Sequence, residues 1–272
     1  MSVIQVDAEK CKRDGLCVAV CPNLLLELKE GSPIPTPIQN AEEQCNDCGH
    51  CVAICPHGAL AQRAMSPERC EPLEVSSLPS AGQLEHLMRG RRSVRIFKKD
   101  PVPREVLAKL IEVARYAPTG SNLQHVRWLV VYDGAEVRRL ARLTEDWLRD
   151  KVAAQPDNPV FARNGKVLAR AVKQGYDLIG RGAPHLIIAY GLRGRETDGI
   201  IALTFLELAA FAQGLAACWA GWLGNAAREW APVREVFGLP EGHSCAGAMM
   251  IGLPKYKYRR LPQRNEAQIA WR

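Results

Sequence analysis

Seven cysteines near the N-terminus fall into two copies of one pattern. These are Cys11-Lys-Arg-Asp14-Gly15-Leu-Cys17-Val-Ala-Val-Cys21-Pro22 and Cys45-Asn-Asp-Cys48-Gly49-His-Cys51-Val-Ala-Ile-Cys55-Pro56. The second copy reads C-x2-C-x2-C-x3-C-P, and the first departs from that cysteine spacing only at Asp14. Thiolates spaced this closely on one turn can hold three corners of an iron-sulfur cube, while the fourth, fixed before a proline, reaches a neighbouring cube. The chemistry expected is electron transfer. A disulfide framework would need an oxidising compartment, and Met-Ser-Val-Ile-Gln-Val-Asp at the start has neither the charged nor the apolar region of a secretion signal. Structural zinc uses one or two C-x2-C pairs, fewer cysteines than stand here.

The duplicated segment resembles bacterial two-cluster ferredoxins over residues 1–65. The resemblance implies that Cys11, Cys17 and Cys55, with Asp14 or no fourth ligand, hold the first cluster. Cys45, Cys48, Cys51 and Cys21 would hold the second. Gly15 and Gly49 suit a tight turn around each cluster. A carboxylate is a harder ligand than a thiolate and leaves iron more readily. The first cluster is therefore either an Asp14-ligated 4Fe-4S centre or a 3Fe-4S centre beside a surface aspartate.

The elements that position this chemistry belong to a chain of 272 residues, 47% hydrophobic and 24% charged, an ordinary globular composition. Its net charge of +7 is uneven. Residues 1–65 carry five Lys/Arg against eight Asp/Glu, a net of −3, and the remainder carries 31 against 21, a net of +10. The basic charges are scattered without interleaved aromatics, so no nucleic-acid partner is expected. The best apolar stretch, Leu206 to Gly224, is interrupted by Glu207 and Gln213 and reads as a buried helix rather than a membrane span. A cytoplasmic protein is expected. Residues 66–83, rich in Pro and Ser, read as a linker. Cys70 lies there as an ordinary linker residue, and Cys218 and Cys245 read as core.

From residue 84 to 272, helices alternate with a few strands. Helices are expected over Gly82–Arg92, Val102–Tyr116, Glu136–Ala154 and Thr204–Ala217, and strands over Trp128–Tyr132, Leu186–Tyr190 and Ala246–Leu253. The fold class is α+β. Four segments there could bind an anionic cofactor. Arg91-Arg92-Ser93-Val-Arg95 offers guanidiniums suited to phosphate. Pro118-Thr119-Gly120-Ser-Asn122-Leu-Gln124 presents side-chain amides on a turn. Cys218-Trp219-Ala220-Gly221-Trp222 follows an apolar run, and Lys255 to Arg260 is a basic run that includes Arg259 and Arg260.

In this order and at these separations, the four segments resemble the FMN-dependent nitroreductase family. The resemblance implies a small two-cluster ferredoxin-like domain followed by a three-layer α-β-α domain that forms a homodimer. It places Arg91 and Ser93 on the FMN phosphate or ribityl chain, with Arg92 competing for the first position, and Arg95 at the N1/O2 edge. Asn122 would bond the pyrimidine edge, with Pro118, Thr119, Gly120 and Gln124 in that loop. Trp219, Ala220 and Gly221 would lie near N5, and Arg259 and Arg260 would complete the phosphate site. His125 stands where the family has proline, either as a substrate-pocket acid or in a structural role.

The implied activity is an oxidoreductase passing electrons through the iron-sulfur clusters to FMN and on to an electron-poor small molecule such as a nitroaromatic or quinone. The chemistry would occur at flavin N5, so no acid or base side chain is assigned. Reduced ferredoxin or NAD(P)H would be the donor. No G-x-G-x-x-G follows a predicted strand, so a separate Rossmann domain is not expected. Two other readings are an electron-transfer protein serving a protein partner and another flavin reaction such as reductive dehalogenation.

Overall fold

The computed structural model describes residues 3–272. The chain divides into two units: one comprising residues 1–78 with Gly120–Leu123, the other Pro79–Thr119 with Gln124–Arg272.

Every element of the first unit is short. In chain order they are β1 (Ile4–Val6), α1 (Leu16–Ala19), β2 (Leu26–Glu27), β3 (Thr36–Pro37), α2 (Ala41–Gln44), α3 (His50–Ile54) and β4 (Leu60–Gln62). β1 pairs antiparallel with β4, and β2 with β3. The small core gathers Val3, Ile4, Leu25, Leu26, Ala41, Val52 and Leu60 around Cys17 and Cys51. The duplication extends to backbone conformation. Arg13 and Gly15 have φ of 58° and 73°, and Asp47 and Gly49, at the same places in the second copy, have 52° and 74°.

The second unit contains α4 (Ala81–Gly90), α5 (Arg104–Ala114), β5 (Arg127–Val131), α6 (Gly134–Ala154), α7 (Pro159–Lys173), β6 (His185–Leu192), α8 (Glu196–Ala212), β7 (Ala216–Trp219), α9 (Gly221–Glu229), α10 (Ala231–Phe237) and β8 (His243–Gly252). The four strands form one antiparallel sheet in the order β5-β6-β8-β7. Successive residues of a strand face opposite sides. Accordingly, Leu186, Ile188, Ala248 and Met250 join one core with α6, α7, α9 and α10, while Ile187, Ala189, Met249 and Ile251 join another with α5 and α8. The result is the three-layer α-β-α arrangement. Cys218 and Cys245 are buried in the first of these cores, and Cys70 is exposed. Among the described residues, no helix is long and apolar enough to cross a membrane.

Two elements differ from the sequence expectation. The helix expected over Thr204–Ala217 starts earlier and ends at Ala212, because Gly214 takes a left-handed conformation and the Leu215 N–H closes back on the Ala210 carbonyl. Ala216–Trp219, apolar without helical spacing, becomes edge strand β7. Residues 159–173, for which no helix was expected, form α7: Asn158 Oδ1 accepts from the Val160 and Phe161 N–H groups, with Pro159 at the first helical position.

His185 locks the start of β6. Its Nε2 accepts from the Val102 N–H at 2.9 Å, its Nδ1 donates to the Tyr132 carbonyl at 2.8 Å, and its ring stacks on Tyr132. Burial lowers its pKa from 6.5, so the neutral ring is the folded form. The unfolded chain binds this proton more readily. The resulting stability is complete above pH 6.5 and is lost as pH falls from there through the depressed value. Replacing His185 with Phe orphans the Val102 N–H; we expect a loss of about 1–3 kcal/mol and a flatter pH dependence below 6.5, read from urea melts across pH.

Candidate cofactor sites

Two cavities of similar empty volume, ≈ 310 and ≈ 330 Å³, lie in the first unit. One is walled by Cys21, Cys45, Cys48 and Cys51, the other by Cys11, Cys17, Cys55 and Asp14. Each cavity thus takes three positions from one copy of the motif and one cysteine from the other. Among the described residues, no three His, Cys, Asp or Glu side chains converge on a single-ion site. Sulfurs spread around a space fit a multi-iron cube better than one zinc ion. The two crossing cysteines also share a local pattern: Cys21 Sγ accepts from the Leu25 N–H at 3.3 Å, and Cys55 Sγ from the Ala59 N–H at 3.4 Å.

Burial pushes the Cys17 and Cys45 thiols up, and Cys51 up to about 11. Iron must displace those protons to bind thiolate. At the divergent corner, Asp14 Oδ1 accepts from the Leu16 N–H at 3.1 Å, and its Oδ2 stands 3.8 Å from His57 Nε2. Sequence reading missed His57, which sits one residue past the second Cys-Pro and lines the same cavity. Around the other cavity, Arg63 clamps the Asp47 carboxylate and reaches the Cys45 and Glu42 carbonyls, fixing the Cys45–Cys48 turn.

In the second unit, the arginine segment is stitched to the sheet at both ends. The Val94 N–H donates to the Ala217 carbonyl on β7, while Lys98 and Leu253, and Lys255 and Ile96, exchange backbone bonds beyond β8. The arginines then diverge. Arg92 lines a cavity of ≈ 1020 Å³ with Lys257, Arg259 and Arg260. Arg95 lines a second, ≈ 750 Å³, with Arg181, Trp219, Ala220, Gly221 and Trp222. Arg91 enters neither; it pairs with buried Glu207 at 2.8 Å, and that carboxylate also accepts from the Trp219 indole N–H at 3.3 Å. Ser93 forms a bridge to Ala217 between the two.

The 118–124 loop lines neither cavity. Thr119 Oγ1 accepts from the Gln124 N–H. Gly120–Leu123 groups with the first unit, where Asn122 Nδ2 donates to the Asn46 and Asp47 carbonyls at 3.0 Å each. His125 is held on both nitrogens: Nδ1 accepts from the Leu192 N–H, leaving Nε2 to donate to Asp198 at 2.8 Å. This arrangement supports a structural role. Trp222 packs against Trp147 and Phe161. Arg181, missed in the sequence, stands in a left-handed turn with Gly182 just before β6, and a basic residue flanked by glycines there was the available signal.

The donor sets suit their groups: thiolates for iron, and clustered guanidiniums and a lysine for a phosphate-bearing cofactor. The model for the nitroreductase family matches residues 88–253, and that for a 4Fe-4S dicluster domain matches residues 3–56. The nitroreductase NfnB of Mycolicibacterium smegmatis is 31% identical over 182 residues, which cover 54% of this chain and 76% of the relative. Two solved structures share the fold: an FMN-bound nitroreductase from Bacteroides fragilis (TM-score 0.54, 22% identity, 69% of this chain and 98% of that one) and one from Desulfitobacterium hafniense (TM-score 0.52, 23% identity, 67% and 93%).

Proposed function

Because the chain belongs to the nitroreductase family and begins with a 4Fe-4S dicluster domain, we propose that it is an FMN-dependent oxidoreductase fed through its iron-sulfur clusters. The observation that carries this reading is the presence, in one chain, of two sulfur-walled cavities and a cationic cavity lined by Arg92, Lys257, Arg259 and Arg260. FMN supplies the conversion between single electrons and electron pairs.

The protein's part is binding, orientation and potential. Arg92, Arg259 and Arg260 hold the phosphate through the paired donors of their guanidiniums. Arg95 and Arg181 place positive charge at the other cavity, where they favour an electron-rich ring system. The backbone of Trp219–Gly221 closes that side. The acceptor is an electron-poor small molecule such as a nitroaromatic or quinone, and the donor is reduced ferredoxin or another low-potential carrier. A homodimer fits the apolar side chains that α8 leaves exposed, Ile200, Phe205 and Phe211.

Anaerobic stopped-flow tests the reading. Mixing with reduced ferredoxin is expected to bleach the clusters first and the flavin after, followed by turnover on an added nitroaromatic. Rapid flavin reduction by NAD(P)H with the clusters trailing would overturn the order of transfer. Arg92→Ala is expected to weaken FMN retention by roughly 10- to 100-fold, the loss of one charge-assisted contact, with iron content unchanged.

A further inference from the structure

The second sulfur-walled cavity is lined by one buried polar side chain that lies outside the cysteine motif. Gln62, the last residue of β4, lines it beside Cys21, Cys45, Cys48 and Cys51. The residue is only 7% exposed, and its Nε2 is a buried amide nitrogen with no hydrogen-bond partner. Leaving a buried amide unsatisfied costs about 1–3 kcal/mol, so a chain that retains one there gains something when the cavity is filled. Its backbone is fixed from both sides: β4 pairs Gln62 with Ile4, and its N–H and carbonyl both bond to Met65. The side chain is therefore held at the cavity wall.

The one partner its amide does have is sulfur. The Cys45 thiol donates to Gln62 Oε1 at 3.8 Å. As an iron ligand, Cys45 has lost that proton and its sulfur becomes an acceptor. A half-turn of the amide then presents an N–H to Cys45 Sγ, and in either orientation Gln62 brings two N–H bonds to a wall facing sulfur. We propose that the Gln62 side-chain amide donates a hydrogen bond to sulfur of the second cluster and raises that cluster's reduction potential relative to the first.

Direction follows from charge. Reduction adds an electron to an already anionic cluster, and an N–H dipole aimed at its sulfur stabilises the reduced form more than the oxidised one. The first cavity has no side-chain amide: besides Cys11, Asp14, Cys17 and Cys55 it is lined by Val6, Lys12, Arg13, Gly15, Pro35, His57, Ala59 and Leu60. The second centre would therefore carry a potential-raising donor that the first lacks, a difference beyond Asp14.

The proposal rests on Cys21, Cys45, Cys48 and Cys51 holding the second cluster, so the experiment separates the two. In the full-length protein, Cys48→Ala is expected to lose one cluster's iron and one EPR signal, which identifies the second centre; no loss would overturn the ligand assignment itself. In EPR-monitored redox titration, Gln62→Met is expected to cut that centre's reduced-to-oxidised ratio about tenfold at fixed ambient potential, about 59 mV for one electron, and to leave the other centre unmoved. An unchanged potential, or an equal shift in both centres, would overturn it. A measurement on the unmutated protein covers failure of the variant to load iron. With ¹⁵N placed only in glutamine side chains, the reduced second cluster is expected to show hyperfine coupling to ¹⁵N in pulsed EPR, and its absence rejects the hydrogen bond.

Discussion

Removal of iron from the anaerobically purified protein is expected to unfold residues 3–62 and to leave the α-β-α unit folded. Among the described residues, no helix of the first unit except α3 exceeds four residues and no strand exceeds three, so local structure alone cannot hold it. Apart from Cys17 and Cys51, its core is seven apolar residues. Below about 70–80 residues a single core rarely supplies more than about 3–5 kcal/mol, whereas structural metal sites contribute on the order of 10 kcal/mol to folding. The second unit instead buries apolar side chains on both faces of a four-stranded sheet. Hydrogen exchange with proteolytic fragmentation reads the two units separately. Protection retained across β1 and β4 after iron removal would refute the dependence.

Arg91→Met is expected to destabilise the second unit by about 3–5 kcal/mol even without flavin. The Glu207 carboxylate would remain buried with the Trp219 indole N–H as its remaining hydrogen-bond donor, and an unpaired buried charge is costly. The double variant Arg91→Met/Glu207→Met is expected to recover most of the loss, because removing both charges removes the desolvation cost. A double-mutant cycle by urea unfolding of flavin-free protein gives the coupling energy. The alternative role for Arg91, contact with the FMN phosphate, makes the opposite forecast: unchanged stability without flavin and weakened flavin retention. The structure gives Arg91 a protein partner and puts Arg92 in the cationic cavity.

What could be read from the chain alone follows the range of the interaction. The two sulfur-walled cavities gather the cysteines that motif spacing predicts, because spacing of two or three residues fixes which side chains share a turn. A layered α+β domain was expected from the alternating helical and strand patterns, and its three-layer α-β-α form from the family resemblance. The ends of α8 were not, since Ala216–Trp219 is apolar throughout and only the left-handed turn at Gly214 decides where the helix stops. Glu207 is 116 residues from Arg91, and no local pattern announces that pair. Gln62 lies outside both cysteine motifs and becomes noticeable only when its amide is found buried and unbonded. The arginine segment was visible as a charge run, but its division among an ion pair and two cavities depends on the edge strand it is stitched to.

The crossing cysteines give the duplicated motif an evolutionary and assembly constraint. Cys21 stands in the cavity of the second copy and Cys55 in that of the first. The repeats are therefore interlocked, in the manner of a domain swap fixed within one polypeptide. On the ligand assignment proposed above, deleting either copy would leave neither centre a complete ligand set. On the same assignment, loading one centre is expected to organise part of the other's wall, so that maturation is cooperative and a half-filled unit is the scarce species.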